Sequence, residues 1–268
     1  MKKSLSIFLI LLILFLTSCN QQESSDNAEK NNEPNRQGDA TKLLKSAIES
    51  NNNLTSFDAD FAINMSLDFD GQTQNIAIDM NCQYDIENMS FKISEIISTP
   101  GSSTVEALLF YKDGTIYMSS GGQNISQTLS ANEISQYTSS FDLLDFEDTA
   151  IKQSSSEKVG DNTKITMLLD GKSIGGLFDQ IYTMFSSMFE GIYFELKFDD
   201  IDVIYEITTA NLIEYQDMKF TFQMDIDVEG EGIQTVNVKA NSKTTFTSFN
   251  QPVVIEIPNI DDYIEAVF

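Results

Sequence analysis

Phe57, Ala59, Phe61, Ile63, Met65, Leu67 and Phe69 alternate with Asp58, Asp60, Ala62, Asn64, Ser66, Asp68 and Asp70. Side chains alternate between the two faces of a strand, so this run specifies one long strand with a dry face and a wet face. Asp70-Gly71 follows, the dipeptide favoured in a two-residue type I′ turn. That turn sets Phe69 opposite Gln72, and every later pair is then fixed. It predicts Met65 against Ile76, Ile63 against Ile78, Phe61 against Met80, Ala59 against Cys82 and Phe57 against Tyr84. Each pair is apolar on apolar, although turn chemistry alone chose the register. A tight turn at Glu87-Asn88 sets Ile86 against Met89, Tyr84 against Phe91 and Cys82 against Ile93 on the same dry face. The expectation is an antiparallel meander.

Around it the period changes. Ala40 to Leu54 has Leu43, Leu44, Ala47, Ile48 and Leu54 at helical spacing. Thr104–Lys112 and Thr115–Ser119 flank Asp113-Gly114 as a second hairpin. Ser130-Ala131-Asn132-Glu133 reads as a capping box, opening a helix with Ile134, Tyr137, Phe141 and Leu144 inward. A further hairpin turns at Gly160-Asp161-Asn162 and ends in Ile165, Met167 and Leu169. Ser173 to Glu190 is the most apolar helix, with Ile174, Leu177, Phe178, Ile181, Met184, Phe185, Met188 and Phe189. Met218, Phe220, Phe222, Met224, Ile226 and Val228 then alternate with polar residues. A five-residue glycine loop or a bulge is expected next, placing Ile226 opposite Val236 and Met224 opposite Val238. Val253, Ile255, Ile257, Pro258 and a short helix close the chain.

The amino terminus gives an address. Lys2 and Lys3 precede an apolar run from Leu5 to Leu16, too short for a spanning helix of roughly 20 residues and suited to a secretion signal. Leu16-Thr17-Ser18-Cys19 resembles the lipobox of bacterial lipoproteins. The resemblance implies cleavage after Ser18, diacylglycerol on the Cys19 sulfur and often a further acyl chain such as palmitate on the new amino group. Two or three acyl chains anchor a protein stably to a membrane. Residues 1–18 are thus expected to be a signal peptide. Residues 19–39, rich in Asn, Gln, Glu and Ser, read as the acylated cysteine and a tether with a reach of about 25 Å. Residues 40–268 are expected to form a single domain.

Charge and residue usage remove several functions. The chain has 41 acidic and 16 basic residues, a net charge of −25, and no histidine. Losing Met1–Ser18 takes away two lysines and no acids, leaving −27. Such a surface repels a phosphate backbone, so no nucleic acid partner is expected. Without imidazole there is no Ser-His-Asp triad and no His-ligated metal. Gly171-Lys172-Ser173-Ile174-Gly175 matches the nucleophile-elbow spacing but lacks a base, so Ser173 reads as a helix cap and the glycines as turn residues. Ser155-Ser156-Glu157-Lys158 matches S-x-x-K without its companion motifs. Asp225, Asp227 and Glu229 echo a calcium loop, but the twelfth position is Val236, and a solvated strand face fits better. Asp199, Asp200 and Asp202 read as a surface charge cluster. No catalytic residue, metal or cofactor is expected. With Cys19 alkylated, Cys82 has no disulfide partner and reads as a small buried hydrophobe.

An acylated tether, a helix, very long antiparallel strands, helices inserted mid-chain and the ending Phe249-Asn250-Gln251-Pro252…Ile257-Pro258 together resemble the LolA/LppX-type lipoproteins. The likeness spans about Thr41 to Phe268 and is one of organisation. It implies an α+β fold: a large, curved antiparallel sheet, an open half-barrel, with helices packed on its concave face. Some members hold an acyl chain or a lipidated protein there. The candidate ligand-lining residues are Phe61, Ile63, Met65, Phe178, Met184, Phe185, Met188, Phe220, Phe222 and Met224. Their Met and Phe content suits a variable apolar ligand; the same side chains serve equally as plain core, the reading favoured by composition alone. The expected protein is a non-enzymatic, monomeric lipoprotein, lipid-anchored on the extracytoplasmic face of the cell membrane, that binds a lipid or other apolar ligand. The alternative is a structural or interaction module of the envelope with a closed core.

Overall fold

The computed structural model describes residues 36–129, 146–174, 193–228, 232–256 and 259–265. The signal segment, Cys19 and the tether as far as residue 35 lie outside these residues; residues 36–39, expected as the end of the tether, instead form the first turn of the helix that follows. The helix expected after Ser130 and nearly all of the one expected after Ser173 also lie outside the described residues.

Thirteen described strands join in one open sheet, and one helix packs against it. The helix, α1 (Arg36–Asn52), buries Ala40, Leu44, Ala47 and Ile48, a stripe at spacings of four, three and one. The strands are β1 (Ser56–Phe69), β2 (Gln72–Asp85), β3 (Ser90–Ser98), β4 (Val105–Lys112), β5 (Thr115–Ser120), β6 (Gln123–Thr128), β7 (Ile151–Val159), β8 (Asn162–Leu169), β9 (Tyr193–Phe198), β10 (Ile201–Ile207), β11 (Ile213–Val228), β12 (Gly232–Phe249) and β13 (Ile264–Glu265). Their order across the sheet is β13-β6-β5-β4-β3-β2-β1-β12-β11-β10-β8-β7. β9 also pairs with β11, so β9 and β10 line the same side of β11 in succession. All pairs are antiparallel except β13 with β6. The first and last strands of this order do not meet, and the sheet is an open half-barrel.

The meander has the register its turns dictate. Met65 faces Ile76, Ile63 faces Ile78, Phe61 faces Met80, Ala59 faces Cys82 and Phe57 faces Tyr84. Both Asp70 and Gly71 have positive φ, as a type I′ turn requires, and Asp113-Gly114 repeats the geometry between β4 and β5. Tyr84 faces Phe91 and Cys82 faces Ile93; Met89, with φ 47°, returns its amide to the Ile86 carbonyl. Aromatic rings then run across the strands at one level. Phe57–Tyr84, Tyr84–Phe91 and Phe91–Tyr111 have centroids 5.5, 6.1 and 5.6 Å apart.

The β11–β12 register differs from expectation. Met224 faces Val236, Phe222 faces Val238 and Ile226 faces Gln234, two residues away from the expected pairing. The ladder already holds Val228 against Gly232, leaving three residues in the loop instead of five. A slip of two preserves which side chains share a face, so Phe220, Phe222 and Met224 remain on the dry side. β12 also pairs along its length with β1. Leu67 faces Val238 and Met65 faces Ala240 from the other flank, so β12 is fixed by two neighbours at once.

The closing segment is a single 3-10 turn, Ile260–Asp262, capped by the Asn259 side chain, before the two-residue β13. It lays Tyr263 against Phe110 and Tyr117, with ring centroids 5.7 and 5.4 Å away. Phe110 is thereby fully buried on the face opposite Leu109 and Tyr111.

Candidate functional site

The apolar face is built by period alone. From β11 come Met218, Phe220, Phe222 and Met224, and from β1 come Phe57, Ala59, Phe61 and Ile63, all buried; Met65 is half-buried beside them. Phe198 of β9 extends the surface, stacked on Phe222 at 5.0 Å. Six of the expected ligand-lining residues, Phe61, Ile63, Met65, Phe220, Phe222 and Met224, therefore share one continuous face. Phe178, Met184, Phe185 and Met188 lie outside the described residues.

Between the two bulky strands runs β12, whose dry side is small at three successive positions between Val238 and Phe246. Ala240 stands between Met65 and Phe220, Ser242 between Ile63 and Met218, and Thr244 between Phe61 and Gln216. Small side chains flanked on both sides by large ones form a furrow along the strand. Its direction follows β12, and its walls are Phe, Ile and Met. That is the shape and chemistry of a bed for a linear apolar chain.

The same face contains groups that do not belong in a hydrocarbon core. β3 places Phe91, Ile93 and Ile97 inward at alternate positions, and Glu95 stands among them at 3% exposure. Its Oε1 has no hydrogen-bond partner. Burial pushes its carboxyl up to about 8. Among the described strand residues, Gln216 and Thr244 are the other buried polar side chains of the apolar side; both are at the level of Glu95. Cys82 is fully buried, and burial, with the Asp58 charge adding to it, holds its thiol well above the ordinary range. It is a packed hydrophobe, unsuited to nucleophilic work.

One end of α1 is tied to the sheet by amides. The Ile213 amide donates to Asn51 Oδ1 at 2.8 Å, and Asn51 Nδ2 donates to the Ile213 carbonyl at 3.4 Å. Asn211, at φ 60°, donates from Nδ2 to Ser46 and Ser50. These contacts dock the helix over the β10–β11 turn.

Two cavities lined by described residues open on the opposite, polar face. One, of about 830 Å³, crosses the long strands from Ser98–Pro100 to Asp200 and Asp202, with Asn64, Ser66, Lys219 and Lys239 in its floor. The other, of about 430 Å³, lies beside Asp60, Asp79, Lys243 and Ile96. Strands this long twist and coil, which makes the wet face concave as well. Charges of both signs line these hollows.

The other motifs resolve into structure. Ser173 donates from Oγ to Asp170 at 2.9 Å, and its amide donates to the Asp170 carbonyl at 2.9 Å. Gly171 packs so closely under β9 that a Cβ would overlap the Asp199 carbonyl oxygen. Lys152 bridges Asp170 and Asp200, while Asp199 accepts from Thr221. Asp225 accepts from Lys197, Gln223 and Thr235; the lysine contact leads in drawing its carboxyl down to about 2. Among the described residues no group of three metal-ligating side chains comes together.

An open antiparallel half-barrel with an apolar side-chain bed defines the class. The chain belongs to DUF6612, a family of unknown function, whose model matches residues 39–260. No curated protein matches it. Solved structures similar to it include LprF from Mycobacterium bovis, 12% identical, covering 82% of this chain and 97% of that one with a TM-score of 0.39. An outer membrane lipoprotein-sorting protein domain from Vibrio parahaemolyticus is 10% identical, covering 80% and 95%, with a TM-score of 0.26. A DUF1329 family protein from Desulfovibrio piger is 11% identical, covering 81% and 95%, with a TM-score of 0.25.

Proposed function

We propose that this is a non-enzymatic lipoprotein, anchored by acyl chains on Cys19 to the extracytoplasmic face of the cell membrane, that binds a lipid or other apolar ligand on the inner face of its half-barrel. The observation behind it is the furrow along β12, where Ala240, Ser242 and Thr244 lie between Phe61, Ile63 and Met65 on one side and Met218 and Phe220 on the other. In this reading Phe178, Met184, Phe185 and Met188 face the same ligand from the chain between β8 and β9.

Filling the furrow tests the reading. The Ala240→Leu, Ser242→Leu pair should lower the lipid extracted per mole of protein several-fold while the chain stays folded; unchanged lipid content would refute it. Anchoring has its own check. Cys19→Ser should abolish palmitate labelling and release the protein from the membrane fraction, and a labelled, membrane-bound variant would contradict the anchor.

One observation favours the second reading, a closed envelope module. Phe61, Ile63, Phe220, Phe222 and Met224 are all less than a tenth exposed, covered by the chain itself. If filling the furrow raises stability and changes no bound mass, that reading holds.

A further inference from the structure

Glu95 is the anomaly of the apolar face. The ladders from β2 and β4 run unbroken past it, with Met80 on one side and Ala107 on the other. A shift of one residue in β3 would expose the carboxyl and bury Ile96, its neighbour, which lies 45% exposed on the polar face, but it would also turn Phe91, Ile93 and Ile97 to water, so the strand buries Glu95 as the companion of three apolar residues. The sheet thus buries an acid beside an isoleucine that it leaves in water. Burying an unpaired polar group costs free energy, so a fold that retains one ordinarily gives it a partner. Oε1 has none.

The surroundings specify what the partner would be. No basic residue stands opposite Glu95 on either flanking strand, where it meets Met80 and Ala107. Ala107, opposite the carboxyl, is the smaller of the two side chains flanking it, and Ser120 is the next residue at this level. On the other side of Met80 and Phe61, Thr244 and Gln216 continue the same level. Polar groups in one transverse band across a greasy trough fix the depth of a polar head while a chain lies in the furrow. The chain as a whole, at −25, draws cations and repels fatty acids and acidic phospholipids.

We infer that Glu95 is the head-group site of the apolar bed and that it takes a cationic amphiphile, a long hydrocarbon chain ending in a protonated amine. The ammonium supplies the donor that Oε1 lacks, in a charge-assisted hydrogen bond shielded from water. This rests on the reading of the inner face as a ligand site and names the class of ligand.

Photo-crosslinking of the acylated full chain in nanodiscs distinguishes the two claims. Two probes of equal length carry a diazirine in the alkyl chain, one ending in an amine and the other in an alcohol. The amine probe should label peptides of β1, β3 and β12, and dodecylamine should compete. Glu95→Gln, which keeps the shape but cannot give up a proton to become the carboxylate that an ammonium would pair with, should lower amine labelling about tenfold or more and leave alcohol labelling intact, which also shows that the variant is folded. Equal amine labelling of wild type and Glu95→Gln would overturn the inference and leave apolar binding standing. If neither probe labels the inner face, the binding reading fails and this inference with it.

Discussion

At the scale of single residues, Glu95 has the clearest consequence. In the folded chain its carboxyl holds a proton to about pH 8, against 4.5 as the ordinary value. Between those pH values the unfolded chain has released the proton and the folded chain has kept it, so stability falls as pH rises. The slope is about 1.4 kcal/mol per pH unit at most. Denaturant titrations from pH 5 to 8 should show wild type losing stability relative to Glu95→Gln; parallel curves would show that the carboxyl is not buried. Asn51 has the opposite character, a buried amide fully used on the backbone of Ile213. Asn51→Leu should cost about 1–3 kcal/mol, because the Ile213 amide loses its acceptor where water does not reach. A midpoint unchanged in urea would count against that docking. Glu95 was within reach of the sequence: the Tyr84–Phe91 register puts it opposite Met80 on the dry face. Its neighbour Ile96 hides the signal, since Ile93, Ile96 and Ile97 average to an apolar strand.

At the scale of elements, turn chemistry decides what can be read. Asp70-Gly71 leaves β1 and β2 a single register, and the apolar pairs agree with it residue by residue. Between β11 and β12 the glycine loop allows several lengths, and β12 pairs with β1 as well. A sequence shows neighbours along the chain, whereas β1 and β12 lie at opposite ends of it. Gln123–Thr128 announces no strand because its residues are polar on both faces; it joins the sheet through Gly121-Gly122, both at positive φ. The same logic governs Gly171, whose need is a close approach that only the packed β9 creates. Gly171→Ala should destabilise by about 3 kcal/mol or more, since backbone must move to admit the methyl group. Thermal unfolding measures it, and a shift of less than a degree would show that the strands separate freely there.

At the scale of the whole molecule, the half-barrel joins two solvents. The wet face presents Asp58, Asp60, Asp79 and Asp225 to water and satisfies several of them with Asn81, Gln83, Lys197 and Thr235. The inner face runs from Leu109 on β4 through β1 and β11 to Met167 on β8, broken by the polar band at the level of Glu95. α1 seals the end over β7, β10 and β11, and β12 supplies the furrow. Overall organisation was legible because alternation over many residues is a strong signal. The furrow was not, because Ala240, Ser242 and Thr244 look like a weak strand until their neighbours are known. Native mass spectrometry of the chain purified without detergent, before and after organic extraction, tests the central claim most directly. A population heavier by the mass of a long-chain amphiphile and lost on extraction is the predicted result; a single species at the mass of residues 19–268 plus their own acyl chains would contradict it.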